Sequence, residues 1–210
     1  EGYSALRSEG GPRECRNVYL TALNEIDTFA KDRIALSYDL LKNDDPRIKD
    51  CIEEEPQYAF DVTLKGKING TPYKLYQVHV KEGKAERTEI KQEKICTADS
   101  IQHFLFASIM ESKESVRIIC NHQAKNDWKI TIPSYQCILM ETYPAIKQTK
   151  EETIPLIAFT EGERGTWERN GFTLEGIDYC GVRDAKIHPS RWFEKFHIKD
   201  YVYFEIEFQQ

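Results

Sequence analysis

The chain has 210 residues and a formal net charge of −6, and 40% of its residues are hydrophobic. This apolar fraction is enough for a folded core, so we expect flexibility only in residues 1–13. Lys and Arg alternate with Glu between Lys81 and Lys94, which is typical of a solvated face and argues against nucleic-acid binding. No window reaches the roughly 18 apolar residues that a membrane-spanning helix needs, which excludes a membrane span.

The cysteines are the clearest compositional signal. There are six, spread widely along the chain: Cys15, Cys51, Cys96, Cys120, Cys137 and Cys180. Zinc sites need closely spaced pairs of ligands, and these cysteines form none. The even number favours disulfides and therefore a secreted, extracellular protein, although the count leaves the pairing open. The alternative is a reduced intracellular protein with isolated core cysteines.

The first 80 residues predict a helix, a strand and a hairpin. Residues 16–31 carry apolar side chains at three- and four-residue steps, which is a helical pattern. Residues 34–40 alternate with period two and predict a strand that ends at the turn signal of residues 43–46. Two further alternating stretches, 58–64 and 73–80, flank Asn69-Gly70, a pair typical of a tight hairpin turn. Asn69 also begins the glycosylation sequon Asn69-Gly70-Thr71.

The rest of the chain predicts one more helix and several short strands. Apolar spacing, with Thr97 or Asp99 as N-cap, predicts a helix at 101–110. Strands are predicted at 116–120, 128–132, 136–140 and 154–159, whereas five glycines in residues 162–181 predict a loop. A final strand has an apolar face of Val202, Phe204, Ile206 and Phe208. Its other face, expected to be solvated, carries Tyr201, Tyr203, Glu205 and Glu207.

No residue pattern predicts a catalytic or metal site. The five histidines lie far apart and have no metal-binding spacing. The cysteines and serines lack the local signatures of nucleophilic catalysis, and no glycine-rich segment matches a phosphate-binding motif. The paired carboxylates Glu205 and Glu207 are explained by a solvated strand face. We therefore predict a protein that is not an enzyme and that uses neither a metal nor a cofactor.

Aromatic side chains on the predicted strands are candidates for the wall of a ligand cavity. Alternation places eight residues on inward faces: Ile34, Leu36, Tyr38, Tyr58, Phe60, Val62, Tyr76 and Trp128. The candidate pocket residues are the aromatic ones Tyr38, Phe60, Tyr76 and Trp128. Asp39 and Asp61 alternate away from the apolar faces, so a cationic amine would lack a buried carboxylate partner. This pattern favours a lipid ligand over an amine.

A family resemblance rests on four features of the sequence. Cys15 precedes the predicted helix, the strand DRIALSYDLL follows, NDDPRIKDCIEEEP joins an Asp-Pro turn to Cys51, and SYQCILMET places Cys137 on a later strand. In these features the chain resembles the tick salivary lipocalins, which include histamine-binding and complement-inhibiting members. The resemblance covers mainly the N-terminal third of the chain.

The resemblance implies a mainly β fold with helices, in which an N-terminal helix precedes an antiparallel lipocalin-like β-barrel in a single domain, residues 14–210. It also implies a secreted salivary protein that sequesters a small hydrophobic or amine mediator, or a host immune protein, as a means of immune evasion. By the same analogy, Cys15 pairs with Cys137 and Cys51 with Cys180, which leaves Cys96 to pair with Cys120.

Two alternatives stay open at this point. The fold is either the lipocalin type or an α+β helix-on-sheet module of the cystatin-like kind, which would act through its surface. A boundary near Cys96, where a cysteine and a helix signal coincide, would divide the chain into two small domains. The oligomeric state does not follow from the sequence.

Overall fold

The computed structural model of the protein describes residues 33–49, 52, 54–95, 100–120, 127–130, 137–142, 153–169 and 171–209. The flexible segment predicted at 1–13 and the helix predicted at 16–31 lie outside these residues. Residues Ile34–Gln210 form one compact unit, and the strands described below all belong to it. Among the described residues, no helix is both long enough and apolar enough to cross a membrane.

Twelve strands are described. In chain order they are β1 Ala35–Leu40, β2 Tyr58–Lys65, β3 Pro72–Lys81, β4 Lys84–Lys94, β5 Ile101–Ser112, β6 Ser115–Cys120, β7 Asp127–Ile130, β8 Ile138–Glu141, β9 Ile154–Thr160, β10 Glu163–Arg169, β11 Phe172–Asp178 and β12 Asp200–Phe208. All of their pairings are antiparallel. The mainly β, antiparallel character expected from the sequence is confirmed.

These strands form two five-stranded sheets and a separate hairpin. The first sheet has the order β1-β2-β5-β6-β7, the second has the order β4-β3-β12-β9-β8, and β10 pairs only with β11 among the described strands. An up-and-down barrel would pair strands in chain order. Here β2 pairs with β5 instead of β3, and the described strands do not close into a barrel.

One long hairpin links the two sheets and seals one end of the space between them. β2 leads into β3 through a bend at residues 66–71, and beside it β4 ends at Lys94 and β5 begins at Ile101, so the β2–β5 ladder of the first sheet continues as the β3–β4 ladder of the second. The bend is held by backbone hydrogen bonds from Gly66 N to Ser100 O (3.1 Å) and from Gly70 N to Ile95 O (2.7 Å). Ile68 and Ile95 are buried in the core at this bend. We call this end of the molecule the sealed end.

The hairpin predicted around Asn69-Gly70 is therefore wrong in its pairing. Both strands exist, but β2 and β3 belong to different sheets, and Gly70 uses its positive φ of 71° in the bend. The tip of the long hairpin is instead Glu82-Gly83. Gly83 has a φ of 76°, and a Cβ atom there would lie 2.7 Å from the ring of Phe193, so only glycine fits.

The core between the two sheets is aromatic and aliphatic. Phe106 of the first sheet packs on Phe204 of the second with ring centroids 5.1 Å apart, and Tyr73 packs edge-to-face on Phe104 at 5.8 Å. Ile34, Leu36, Phe60 and Val62 are buried in this core, and Tyr38 and Tyr58 pack against it, as the alternation predicted.

Short helices cover the outer face of each sheet. Helix α1 (Pro46–Lys49) buries Ile48 against the first sheet. The second sheet is covered by α2 (Cys180–Asp184), a 3₁₀ turn (Pro189–Arg191) and α3 (Trp192–Phe196). Trp192 is fully buried there against Tyr201 of β12, and its indole donates a hydrogen bond to the carbonyl of Ile187.

Three predictions are wrong, and the covering helices explain the first of them. Tyr201, Tyr203 and Glu205, expected to be solvated, are at most 4% exposed, because α2 and α3 pack over that half of the sheet and Arg87 lies over Glu205. Residues 101–110 form strand β5 and not a helix. Because this strand is buried on both faces, its apolar residues do not alternate with polar ones, and the sequence pattern of a strand is lost. Residues 162–181, expected to be a loop, form the β10–β11 hairpin and the start of α2.

Candidate functional site

Opposite the sealed end, the two sheets present an open end to solvent. On the first sheet it is formed where β1 and β5 finish and β2 starts. On the second it is formed where β3 and β9 finish and β8 and β12 start. We define the open end by the inner-face residues at these positions, which are Leu40, Tyr58, Ser108, Met110, His79, Cys137, Glu161 and Asp200.

The first sheet contributes an apolar lip. Leu40 is paired with Phe60 and Met110 with Val116, and both partners belong to the core between the sheets. Leu40 is nevertheless 61% exposed and Met110 43% exposed. The inner face of the first sheet therefore continues past the packed core and leaves apolar surface accessible at the open end.

The second sheet contributes a charged lip. His79 Nε2 lies 2.6 Å from Asp200 Oδ1, and Arg164 Nη2 lies 2.8 Å from Glu161 Oε2. Glu161 and Asp200 immediately flank the paired residues Thr160 and Tyr201, so the two carboxylates are neighbours on adjacent strands. Each is about three-quarters buried, because the side chain of Glu161 is 24% exposed and that of Asp200 is 23% exposed.

Among the described residues, two side-chain polar atoms on the inner faces of the sheets are buried without a hydrogen-bond partner. Ser108 is fully buried in the row of Tyr58 and Ile118, and its hydroxyl is unpartnered. Gln77 lies opposite Phe204 on the second sheet, and its side-chain carbonyl oxygen is likewise unpartnered. Leaving such a group unsatisfied costs about 1–3 kcal/mol, so a ligand or a water that bonds to it is stabilised.

Burial is the largest cause of the pKa shifts of Cys137 and Tyr179. It raises the pKa of the Cys137 thiol to about 12, with smaller contributions from the nearby carboxylates Glu161 and Asp200. It also raises the pKa of Tyr179 to about 12, to which Cys137, Tyr58 and Glu161 add. When Cys137 is reduced, this shift favours its neutral thiol at physiological pH.

The arrangement does not assemble a nucleophilic catalyst. The His79–Asp200 pair resembles the base and its orienting carboxylate, but a nucleophile has to reach the imidazole. His79 on β3 and Cys137 beside β8 are separated by three strand spacings, or about 14 Å. Among the residues that the structure describes, no group of three or more His, Cys, Asp or Glu side chains is placed to hold a metal ion.

The four predicted pocket residues have different positions. Phe60 is buried in the core, and the Tyr38 hydroxyl lies 3.2 Å from that of Thr142, between the sheets. The inward placement of Tyr76 is wrong. Tyr76 pairs with Glu205 on the outer face, where the guanidinium of Arg87 lies 3.3 Å from its ring centroid. The backbone of Trp128 pairs with Ile118, but its side chain lies outside the described residues.

Asp39 and Asp61 lie on the outer face of the first sheet, as the alternation predicted. Arg47 binds both of them, at 2.8 and 2.9 Å, together with Asp45 at 2.7 Å. His103 Nδ1 adds a contact of 3.2 Å to Asp61. These carboxylates are thus paired on the outer face of the first sheet, away from the space between the sheets.

Sequence reasoning missed the charged lip. Glu161 follows β9 and Asp200 is the first residue of β12, and only the strand order β12-β9 makes them neighbours. Ser108 was hidden within the predicted helix. Its position two residues after Phe106 on an inward face becomes informative only when the segment is recognised as a strand.

The cysteines and Asn69 are only partly described. Cys137 is buried, whereas Cys180 is exposed and its thiol is free in the structure, so the pair Cys51–Cys180 is not formed there. Cys15, Cys51 and Cys96, and the side chain of Cys120, lie outside the described residues. Asn69 is exposed at the sealed end, and its glycosylation stays a prediction.

Comparisons with family models, with curated proteins and with solved structures find no match to this chain.

Proposed function

We propose that this chain is a non-enzymatic binding protein that sequesters a small amphipathic molecule at its open end. The observation that carries the proposal is the asymmetry of the space between the sheets. A bent hairpin seals one end, whereas the other presents Leu40 and Met110 to solvent beside the buried, unpartnered hydroxyl of Ser108. Such a combination of apolar walls with a few polar groups is typical of ligand sites.

The polar part of the ligand would lie against the charged lip. Glu161 and Asp200 are adjacent carboxylates, and their partners are one exposed guanidinium, that of Arg164, and the imidazole of His79. This charge balance supports a ligand with an amine or another hydrogen-bond donor more than a ligand with a carboxylate. The ranking of lipid over amine that follows from Asp39 and Asp61 is therefore reversed in this proposal.

A titration of the purified protein with serotonin, histamine and a leukotriene, followed by tryptophan fluorescence, tests the proposal. We expect micromolar binding of an amine, and at least a tenfold weaker affinity for Glu161→Gln, since a charged hydrogen bond contributes about 1.5–3 kcal/mol. Asp39→Asn is the matched control, because it removes a carboxylate on the outer face.

Each other outcome has a definite meaning. Binding of the leukotriene alone would favour a lipid ligand over an amine. An equal loss of affinity for Glu161→Gln and Asp39→Asn would show that the ligand does not bind at the open end. No response to any of the three compounds would favour the alternative, a module that acts through its surface on another protein.

The proposal includes secretion, and the thiols test it separately. We expect that protein produced in an oxidising compartment has no reactive thiol when it is unfolded without reductant, because the Cys180 thiol, exposed and free in the structure, would find a partner there and all six cysteines would be paired. Thiol counting with a chromogenic disulfide reagent gives the number. Two or more free thiols, Cys180 among them, would overturn both the pairing and the extracellular assignment.

A further inference from the structure

The β10–β11 hairpin has a free edge. Strand β10, Glu163–Arg169, pairs on one side with β11, and no other strand that the structure describes pairs with its second side. Arg164, Thr166 and Glu168 are exposed, and Phe172, at the start of β11, is 71% exposed. An unpaired strand edge offers a row of backbone donors and acceptors to another strand.

The sequence of β10, ERGTWER, is complementary to itself when two copies run antiparallel. With Thr166 opposite Thr166 of a second copy, Glu163 lies opposite Arg169 and Arg164 lies opposite Glu168. Every charged residue of the strand then faces one of opposite sign. Each such cross-strand pair contributes about 0.2–1 kcal/mol, whereas like charges placed opposite each other destabilise a sheet.

We propose that β10 is a self-association edge, through which two copies of this chain join in a symmetric antiparallel pair. The two hairpins then form one four-stranded sheet in the order β11-β10-β10-β11. The interface is isologous, so the association closes at two copies and does not continue into a fibre.

The glycines of the hairpin fit the same register. Gly165 pairs with Gly176 within the hairpin, and a shallow groove runs past this pair, lined also by Arg164 and Glu175. In the symmetric pairing, Trp167 of the second copy is the residue opposite Gly165. A large aromatic residue opposite an edge glycine is a known stabilising combination in sheets.

The long edge strand of the second sheet, β4, lacks these features. Strand β4 is exposed along its length, but a bulge at Ile90 shifts its register between Glu89 and Lys91. Bulges of this kind protect edges from pairing. β10 has an uninterrupted register with β11. Arg164 already pairs with Glu161, but its guanidinium is 60% exposed, so that pair contributes little and Arg164 can exchange partners.

Sedimentation velocity of the full chain, from about 1 µM to about 300 µM, tests the proposal. The interface consists of one seven-residue strand from each copy, so we expect a weak dimer with a dissociation constant of about 10–100 µM. Thr166→Lys places two like charges opposite each other and should weaken the dimer at least tenfold. Ser37→Lys adds the same charge at an exposed position of β1 and should leave the dissociation constant unchanged.

A charge-reversal experiment separates the register from a general effect of charge. The variant Glu163→Arg/Glu168→Arg has only positive charges on β10, and Arg164→Glu/Arg169→Glu has only negative ones. Each alone should be monomeric, and an equimolar mixture should form a heterodimer. A wild-type chain that stays monomeric throughout, a dimer that Thr166→Lys leaves intact, or a mixture that does not associate would each overturn the proposal.

Discussion

Replacement of Phe204 by alanine is expected to lower the free energy of unfolding by about 3–5 kcal/mol. Phe204 is fully buried on β12, the central strand of the second sheet, and its ring packs on Phe106 of the first sheet. Alanine would leave a cavity between the two sheets, at the packing contact of Phe106 with Phe204. The surrounding side chains could fill this cavity only if strands of both sheets moved.

Phe172→Ala is the matched control for this prediction, since the same atoms are removed from a side chain that is 71% exposed. Its effect on unfolding should stay within about 0.5 kcal/mol. Urea denaturation of both variants at micromolar concentration, below the expected dimer constant, gives the two values. A loss below about 1 kcal/mol for Phe204→Ala would show that the two sheets do not share one core.

Arg87→Met is expected to be the next most destabilising change, at about 2–3 kcal/mol near neutral pH. Arg87 donates hydrogen bonds of 2.7 Å to Glu205 and to Glu207. The side chain of Glu205 is only 6% exposed, so removing the guanidinium leaves a buried carboxylate without its partner. Glu207→Gln removes the charge of the more exposed of the two carboxylates that Arg87 binds, and it should cost less than about 1 kcal/mol.

The pH dependence of this variant has a definite sign. Burial raises the pKa of Glu205, and the hydrogen bonds from Arg87 oppose that shift. Without Arg87 the pKa of Glu205 in the folded state rises further, so the folded variant binds a proton more tightly than the unfolded chain does. The deficit of Arg87→Met against wild type is therefore complete above that pKa and shrinks as the pH falls through it.

Denaturation of wild type, Arg87→Met and Arg87→Met/Glu205→Leu at several pH values measures this effect. The double variant should recover most of the loss at neutral pH, because it removes the unpaired charge together with its partner. A deficit that does not change with pH, or a double variant as unstable as the single one, would assign the loss to the contact of Arg87 with Tyr76 instead.

The sequence was informative where a strand has one buried face. β1 is an edge strand, and its period-two pattern correctly placed Ile34 and Leu36 in the core. β5 is buried on both faces, with Phe104 and Phe106 between the sheets and Ala107 and Ile109 under α1. Its apolar residues are therefore consecutive, and the period that distinguishes a strand from a helix is lost.

Tyr76 was assigned to the wrong face of β3 for the same reason, namely that both faces of the strand are apolar. Val78 and Val80 on β3 pack under α2 and α3, so the outer face of that strand is as apolar as the inner one. Alternation could not decide which face met the other sheet. The candidate site depends even more on strand order, since Asp200, Glu161 and Ser108 come together only through pairings between distant parts of the chain.

The central position of β12 also governs when the second sheet can form. β12 follows both of its neighbours in the chain, and its contact between Asp200 and His79 spans 121 positions. Until β12 has been synthesised, β3–β4 and β8–β9 are two hairpins with facing unpaired edges. Such edges expose backbone groups and apolar side chains to other chains, and pairings of this range form slowly. We therefore expect this chain to complete its fold only after β12 has left the ribosome, with its aggregation risk concentrated in that interval.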